Sequence, residues 1–328
     1  MKGLRLFWAA GLVVAAAAST STWAQSGVSQ KLVQANAALQ AGEADKAMAL
    51  LNELVNTGAK AEALNLRCRV ESTLEQWNQA ANDCAQAVEQ DGQNSNYHLW
   101  LARALGGKAR GASFLSAFSL AKRARTEFEE AVRLNPRNAE ALSDLGEYYY
   151  TAPGIVGGGI DKAEGVAERL EKIDPVRGRE MRGHIAEQRK DYGTAEREYK
   201  QVIASSAHPA CPWMALADFY QRRGRWTEME ASVRSGEKLA ERDKKAGAAF
   251  YDGASVLRAT NRDPARAAKM LEEYLASGSK TETNPAFVAH TWLASLKEKL
   301  GDAAAAHRER AAALALAHEY KPAQNLKY

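Results

Sequence analysis

The feature that most constrains this chain is a small residue that returns at nearly regular intervals. Ala35, Cys68, Ala102, Gly146, Gly183, Ala217, Ser255 and Ala294 are separated by 33, 34, 44, 37, 34, 38 and 39 residues. Around each, apolar residues recur three to four apart, which is the period of a helix buried on one face. A small side chain there lets two helix backbones approach closely, and a larger one costs about 1–3 kcal/mol through overpacking. In residues 212–240, Trp213, Leu216, Ala217 and Tyr220 share one helical face. Gly224-Arg225-Trp226 turns the chain, and Met229, Val233, Gly236 and Leu239 share the next face. Residues 139–175 repeat the pattern with Leu142, Leu145, Gly146 and Tyr149, then Ala163, Ala167 and Leu170, and stop at Asp174-Pro175. His-x-Trp-Leu-Ala occurs at His98 and again at His290. Val, Ile and Thr are sparse, and alternating runs of strand length are hard to find.

Two short helices per unit at this period resemble the tetratricopeptide-repeat (TPR) family, whose usual period is 34 residues. The resemblance spans about residues 29–318 and implies an all-α, right-handed solenoid of about eight helix-turn-helix units with a concave inner groove. In that geometry Glu147, Tyr150 and Thr151 lie on the concave side, and Asp218, Gln221 and Arg222 do so two units later. These six are the candidate partner-binding residues. The same resemblance puts Cys68 and Cys84 on interior faces of one unit, either as a disulfide, which needs Cα atoms within about 7 Å, or as two buried thiols. Two departures lengthen the array: about ten extra residues at 106–114, between the helices of one unit, and about five at 152–159 in the next.

Residues 1–24 read as a secretory signal and residues 25–328 as the repeat array. Lys2 and Arg5 precede an uncharged, mostly apolar run of thirteen residues, 6–18, and Thr22-Trp23-Ala24 offers a cut before Gln25. That run is too short for a transmembrane span of about 20 residues. The expected product is soluble and periplasmic, with no integral membrane segment after cleavage.

The chemistry-bearing residues are scattered. Lys and Arg number 44 against 40 Asp and Glu, a formal charge of +4, too balanced for a protein built to neutralise nucleic-acid phosphates. Three cysteines and six histidines form no four-ligand zinc set and no HExxH motif. Gly157-Gly158-Gly159 lacks the Lys and Ser/Thr of a phosphate loop and reads as a widened turn. His98 and His290 read as packing residues with a capping hydrogen bond, and Cys211 as a free thiol near a helix start. No catalytic residue, cofactor or metal is expected. The leading functional reading is a non-enzymatic scaffold that binds a protein or peptide in the groove, in envelope assembly, secretion or polymer export. The alternative is a small-ligand-binding protein or enzyme that uses the insertions at 106–114 and 152–159. A third is an oligomer stacked through its end helices.

Overall fold

The computed structural model describes residues 13–327, with side chains from Gly27 onward. The charged start of the leader, Lys2 and Arg5, lies outside the described residues. The first helix, α1 (Val13–Ala41), runs unbroken past the expected cut after Ala24.

Seventeen α-helices and one 3-10 turn account for the regular structure among the described residues, with no strand. They form eight antiparallel pairs. α1 pairs with α2 (Ala44–Leu54), α3 (Lys60–Thr73) with α4 (Trp77–Gln90), α5 (Ser95–Arg110) with α6 (Phe114–Leu134), and α7 (Ala139–Thr151) with α8 (Ile160–Glu171). α9 (Pro175–Gln188) pairs with α10 (Tyr192–Ser205), α11 (Ala210–Arg222) with α12 (Trp226–Ala240), α13 (Ala248–Ala259) with α14 (Pro264–Ala276), and α15 (Ala286–Lys299) with α16 (Ala303–Leu316). A last turn, α17 (Lys321–Gln324), folds back on α15 and α16.

Local chemistry starts these helices where the pattern says. Asn94, Asn138, Asp174, Asp191, Asp263 and Asp302 each accept a backbone N–H of the first turn that follows, which satisfies donors the helix cannot. Pro175 and Pro264 sit in first turns, where a missing N–H costs nothing. The second helix of a unit buries one stripe: in α14 it is Ala267, Ala268, Met270, Leu271 and Tyr274. The first helix is wedged between its own partner and the next unit and buries two stripes. In α11 these are Pro212, Met214, Leu216, Ala217, Phe219 and Tyr220.

The periodic small residues fill the closest helix contacts. Ala35, Cys68, Ala102, Ala217 and Ala294 are fully buried. A Cβ on Gly183 would sit 3.0 Å from the ring of Tyr199, and one on Gly146 would sit 2.2 Å from Met181 Cε. Ser255 is a correction. It is half-buried against a cavity, while its neighbour Ala254 is fully buried, so the register of this unit is one residue earlier than the spacing suggests.

The insertion at 106–114 also differs from expectation. It lengthens helices instead of the loop: α5 runs to Arg110, α6 starts at Phe114, and three residues connect them. Gly107 stays helical because Trp77 of the preceding unit packs flat on it, where a Cβ would stand 2.1 Å from the indole. The insertion at 152–159 forms the 3-10 turn Gly154–Val156 and a left-handed Gly157 at φ +96°.

The row of units does not stay open. Phe287, Ala313, Ala317, Tyr320 and Ala323 from the C-terminal end share one apolar cluster with Leu32, Leu39, Leu51, Leu66 and Val70 from the N-terminal end. Arg69 on α3 donates two hydrogen bonds, of 2.9 and 2.8 Å, to Glu282 in the loop before α15. The Glu282 N–H reaches Gln40, Gln76 reaches Glu319, and His318 lies 2.8 Å from Asp45. Curvature accumulated over eight pairs brings the ends together, and an apolar seam holds them. The expected concave groove is the inner wall of a closed ring.

Candidate functional site

First helices face the bore and second helices face out, so the inner wall is written at fixed offsets from each small residue. Two residues before it stand Trp100, Asp144, Asp252 and Trp292; one residue after it stand Arg69, Arg103, Glu147, His184 and Asp218. Four and five residues after it stand Ser72, Tyr150, Thr151, Glu187, Gln221, Arg222 and, from Ala254, Arg258.

A cavity of about 890 Å³ opens where the C-terminal ends of α3, α5, α7 and α13 meet α15 and the turn around Tyr320. Its wall alternates guanidinium groups with indoles. Arg103 and Arg69 stand over Trp100 at 4.5 and 5.2 Å, Arg110 over Trp77 at 5.1 Å, and Arg258 over Trp292 at 4.1 Å. Tyr251 stacks on Trp292, centroids 4.7 Å apart. Arg69 is neutralised by Glu282, and Arg103 by Asp144 at 2.5 Å and Glu140 at 3.5 Å. Arg110 and Arg258 stack on indoles and have no carboxylate within ion-pair distance among the described residues. Burial lowers the Arg258 pKa, because a guanidinium leaving water without a counter-ion loses hydration it cannot replace. Glu147 lines the same cavity; burial, and then the nearby charge of Asp144, raise its pKa.

A second cluster spans α7 to α11. The Tyr150 ring stacks on His184, centroids 5.5 Å apart at 12°. Tyr199 donates to Glu187 at 2.8 Å and lies 3.0 Å from His184 Nδ1. Arg222 donates to both oxygens of Glu187, at 3.0 and 2.6 Å, and pairs with Asp218. Burial, then the Arg222 charge, depress the His184 pKa and keep its imidazole neutral at neutral pH. Beside it, a cavity of about 450 Å³ is lined by Glu180, Cys211, Asp218, Gln221 and Asp252. Burial pushes Glu180 up to about 7, Asp252 to about 6 and the Cys211 thiol to about 12. Such a thiol is a poor nucleophile at neutral pH.

The six residues expected in the groove fall in three places. Glu147 and Thr151 line the large cavity, Asp218 and Gln221 the smaller one, and Tyr150 and Arg222 flank the His184–Glu187 pair. Tyr150 is less free than the spacing suggests: it is half-buried and packed on the apolar core of its unit. Sequence reasoning missed Trp100, Trp292, Arg103 and Arg258. Their signal was the repeated Trp of His-x-Trp-Leu-Ala, two residues before the small residue, which reads equally well as packing.

The other chemistry-bearing residues are structural. His98 Nδ1 lies 2.6 Å from Glu127 and Nε2 lies 3.2 Å from the Gly92 carbonyl. The hydrogen bond to Glu127 raises the His98 pKa. His290 makes the matching contact to Glu309 at 2.6 Å. Cys68 and Cys84 are joined in a disulfide, Cα atoms 5.4 Å apart, and Cys211 is a free thiol. Among the described residues no group of His, Cys, Asp and Glu is placed to hold a metal ion, and no helix is long and apolar enough to cross a membrane.

The fold is similar to that of a thermophilic TPR protein of Thermus thermophilus, with a TM-score of 0.50 and 18% identity over 58% of this chain and 98% of that one. Two further solved structures are similar: a TPR protein from Parabacteroides merdae (TM-score 0.48, 15% identity, 83% of this chain and 98% of that one) and the MamA protein (TM-score 0.41, 18% identity, 54% and 90%). No protein-family model matches the sequence, and no curated protein matches it. The chain has an all-α, TPR-like solenoid fold.

Proposed function

We propose that this protein is a non-enzymatic interaction scaffold of the bacterial periplasm that holds a partner's segment against the inner wall of its ring. The observation that carries the reading is the wall itself, where fixed charges of both signs stand beside aromatic rings. Arg110 and Arg258 are held on indoles without a carboxylate, Glu147 stands in the same cavity, and Tyr150 flanks the next cluster. Preorganised aromatic and Arg side chains are where protein interfaces concentrate their binding energy. The segment that fits carries charges of both signs and an aromatic or aliphatic anchor. The Cys68–Cys84 disulfide supports an oxidising compartment, as the leader does. Two nucleophile and base candidates on the wall are tuned away from chemistry, which favours binding over catalysis: the Cys211 thiol is pushed up and His184 is engaged by Tyr199.

The test is crosslinking in the envelope with photoreactive residues at Glu147, Tyr150, Asp218 and Arg222, and at the outward-facing Glu168 as control. Capture of one protein from the inner positions alone supports the reading. Equal capture from Glu168, or none from the four, refutes it.

A second reading rests on the closure of the ring. A cavity of about 890 Å³, walled in part by Gly106 and Gly107 of the first insertion, is within the range of small-molecule sites. Native mass spectrometry of the protein isolated from its host separates the two. A retained small-molecule adduct that disappears in Arg258→Ala favours the ligand.

A further inference from the structure

The tip of the third unit carries an exposed apolar patch in a stretch whose charged residues are all basic. Residues 106–125 hold five basic residues, Lys108, Arg110, Lys122, Arg123 and Arg125, and no acidic one. In this stretch Phe114 and Leu115 begin α6 with 83% and 80% of their surfaces exposed. Water around two large adjacent apolar side chains is a standing cost that a folded surface normally avoids. A third, Ile155, is 72% exposed on the 3-10 turn of the next unit. Helix α6 is fastened to the second insertion, because the Tyr148 hydroxyl reaches both the Ala121 carbonyl (3.1 Å) and the Val156 carbonyl (2.9 Å). Ala121 is seven residues along α6 from Phe114, roughly 10 Å at 1.5 Å per residue. Phe118 lies between them with the Lys122 ammonium 4.4 Å above its ring.

We propose that this tip docks the protein on an anionic lipid surface, with Phe114, Leu115 and Ile155 entering the headgroup boundary and the lysines above it. The proposal stands apart from the reading of the ring interior. Three features favour lipid over a protein partner. The apolar side chains project from the start of a helix and a tight turn instead of lining a groove, and a bilayer accepts prongs without a matching pocket. The charge is of one sign: Arg123 and Arg125 turn back to Glu127 and Glu129 at 3.8 and 3.5 Å, but Lys108 and Lys122 have no acidic partner among the described residues. Apolar burial and attraction to anionic headgroups act together in such peripheral binding.

Co-flotation with vesicles tests it, comparing phosphatidylcholine alone with equal parts phosphatidylcholine and phosphatidylglycerol. The protein should float with the anionic vesicles, much less with the neutral ones, and progressively less as salt is added. Lys108→Ala and Lys122→Ala should each weaken anionic binding about five-fold. The double variant Phe114→Ser/Leu115→Ser should abolish flotation with an unchanged thermal melt, since neither side chain is in the core. Equal flotation with both vesicle types, or none by the unaltered protein, overturns the proposal. So does self-association that the double variant removes, or capture of an acidic protein at position 114 without lipid binding.

Discussion

Gly42 stands where the two ends of the chain meet. It lies between α1 and α2 at φ +76°, and a Cβ there would sit 2.5 Å from the backbone nitrogen of Ala286, the first residue of α15. Gly42→Ala therefore imposes two costs. An L-residue in the left-handed region costs roughly 1–2 kcal/mol. The clash is with backbone, so no side chain can swing aside and α15 must retreat from the seam that Leu39, Phe287 and Tyr320 fill. Overpacking of this kind costs about 1–3 kcal/mol. Gly301→Ala is the control: Gly301 has a similar φ of +82°, but nothing lies within 4 Å of its added Cβ. It should lose only the backbone part. Urea melts of both variants should place Gly42→Ala about 1–3 kcal/mol below Gly301→Ala. Equal losses would mean that the seam is not closed and would refute the argument from the clash.

Further expectations follow from the same geometry. Gly178→Ala should destabilise more than Gly146→Ala, because the added Cβ meets the Glu171 backbone at 2.5 Å in one case and the mobile end of Met181 in the other; comparing their urea midpoints checks this. Glu71 is only 5% exposed, has an unpartnered Oε2, and its carboxyl is pushed up to about 8 chiefly by burial. The native state then binds this proton more tightly than the unfolded state, so stability falls as pH rises from about 4.5 to about 8. Glu71→Gln should flatten that fall, and pH-dependent melts that still decline equally would contradict it. Removing the Cys68–Cys84 bridge, which closes a 16-residue separation, should cost about 3 kcal/mol, read as the difference between melts with and without reductant.

The repeat was legible because a helix pair has a local signature. Leu145-Gly146 and Leu216-Ala217 each place a small residue on a face that an adjacent large residue defines, and α7 and α11 lie where those pairs put them. Where small residues run together the signature is degenerate: Gly253-Ala254-Ser255 offers three choices, and burial rules out Ser255. Gly106-Gly107 reads as a helix breaker until Trp77, from the preceding unit, is known to lie against it. The ring itself has no local signature. Arg69 and Glu282 are 213 residues apart, and their meeting depends on small angles summed over every intervening unit. The candidate site was half legible for the same reason. The offsets that turn Glu147 and Asp218 inward can be counted along one helix. The partners that give the wall its charge, Trp292 under Arg258 and Glu187 beside Arg222, come from other helices.

The central claim is that the solenoid closes, since closure is what makes the concave groove the inner wall of a ring. The direct measurement is a pulsed electron-resonance distance between spin labels on Lys46→Cys and Glu319→Cys, with Cys211→Ser and the native disulfide intact. Both sites are exposed and adjoin the Asp45–His318 pair across the seam. A closed ring predicts one narrow distribution below about 25 Å, because helices in contact pack with axes 8–10 Å apart and the labels add a few ångströms each. An open solenoid, with the whole stack of units between α2 and the end of α16, predicts a broad distribution beyond about 40 Å, and that result would contradict the account.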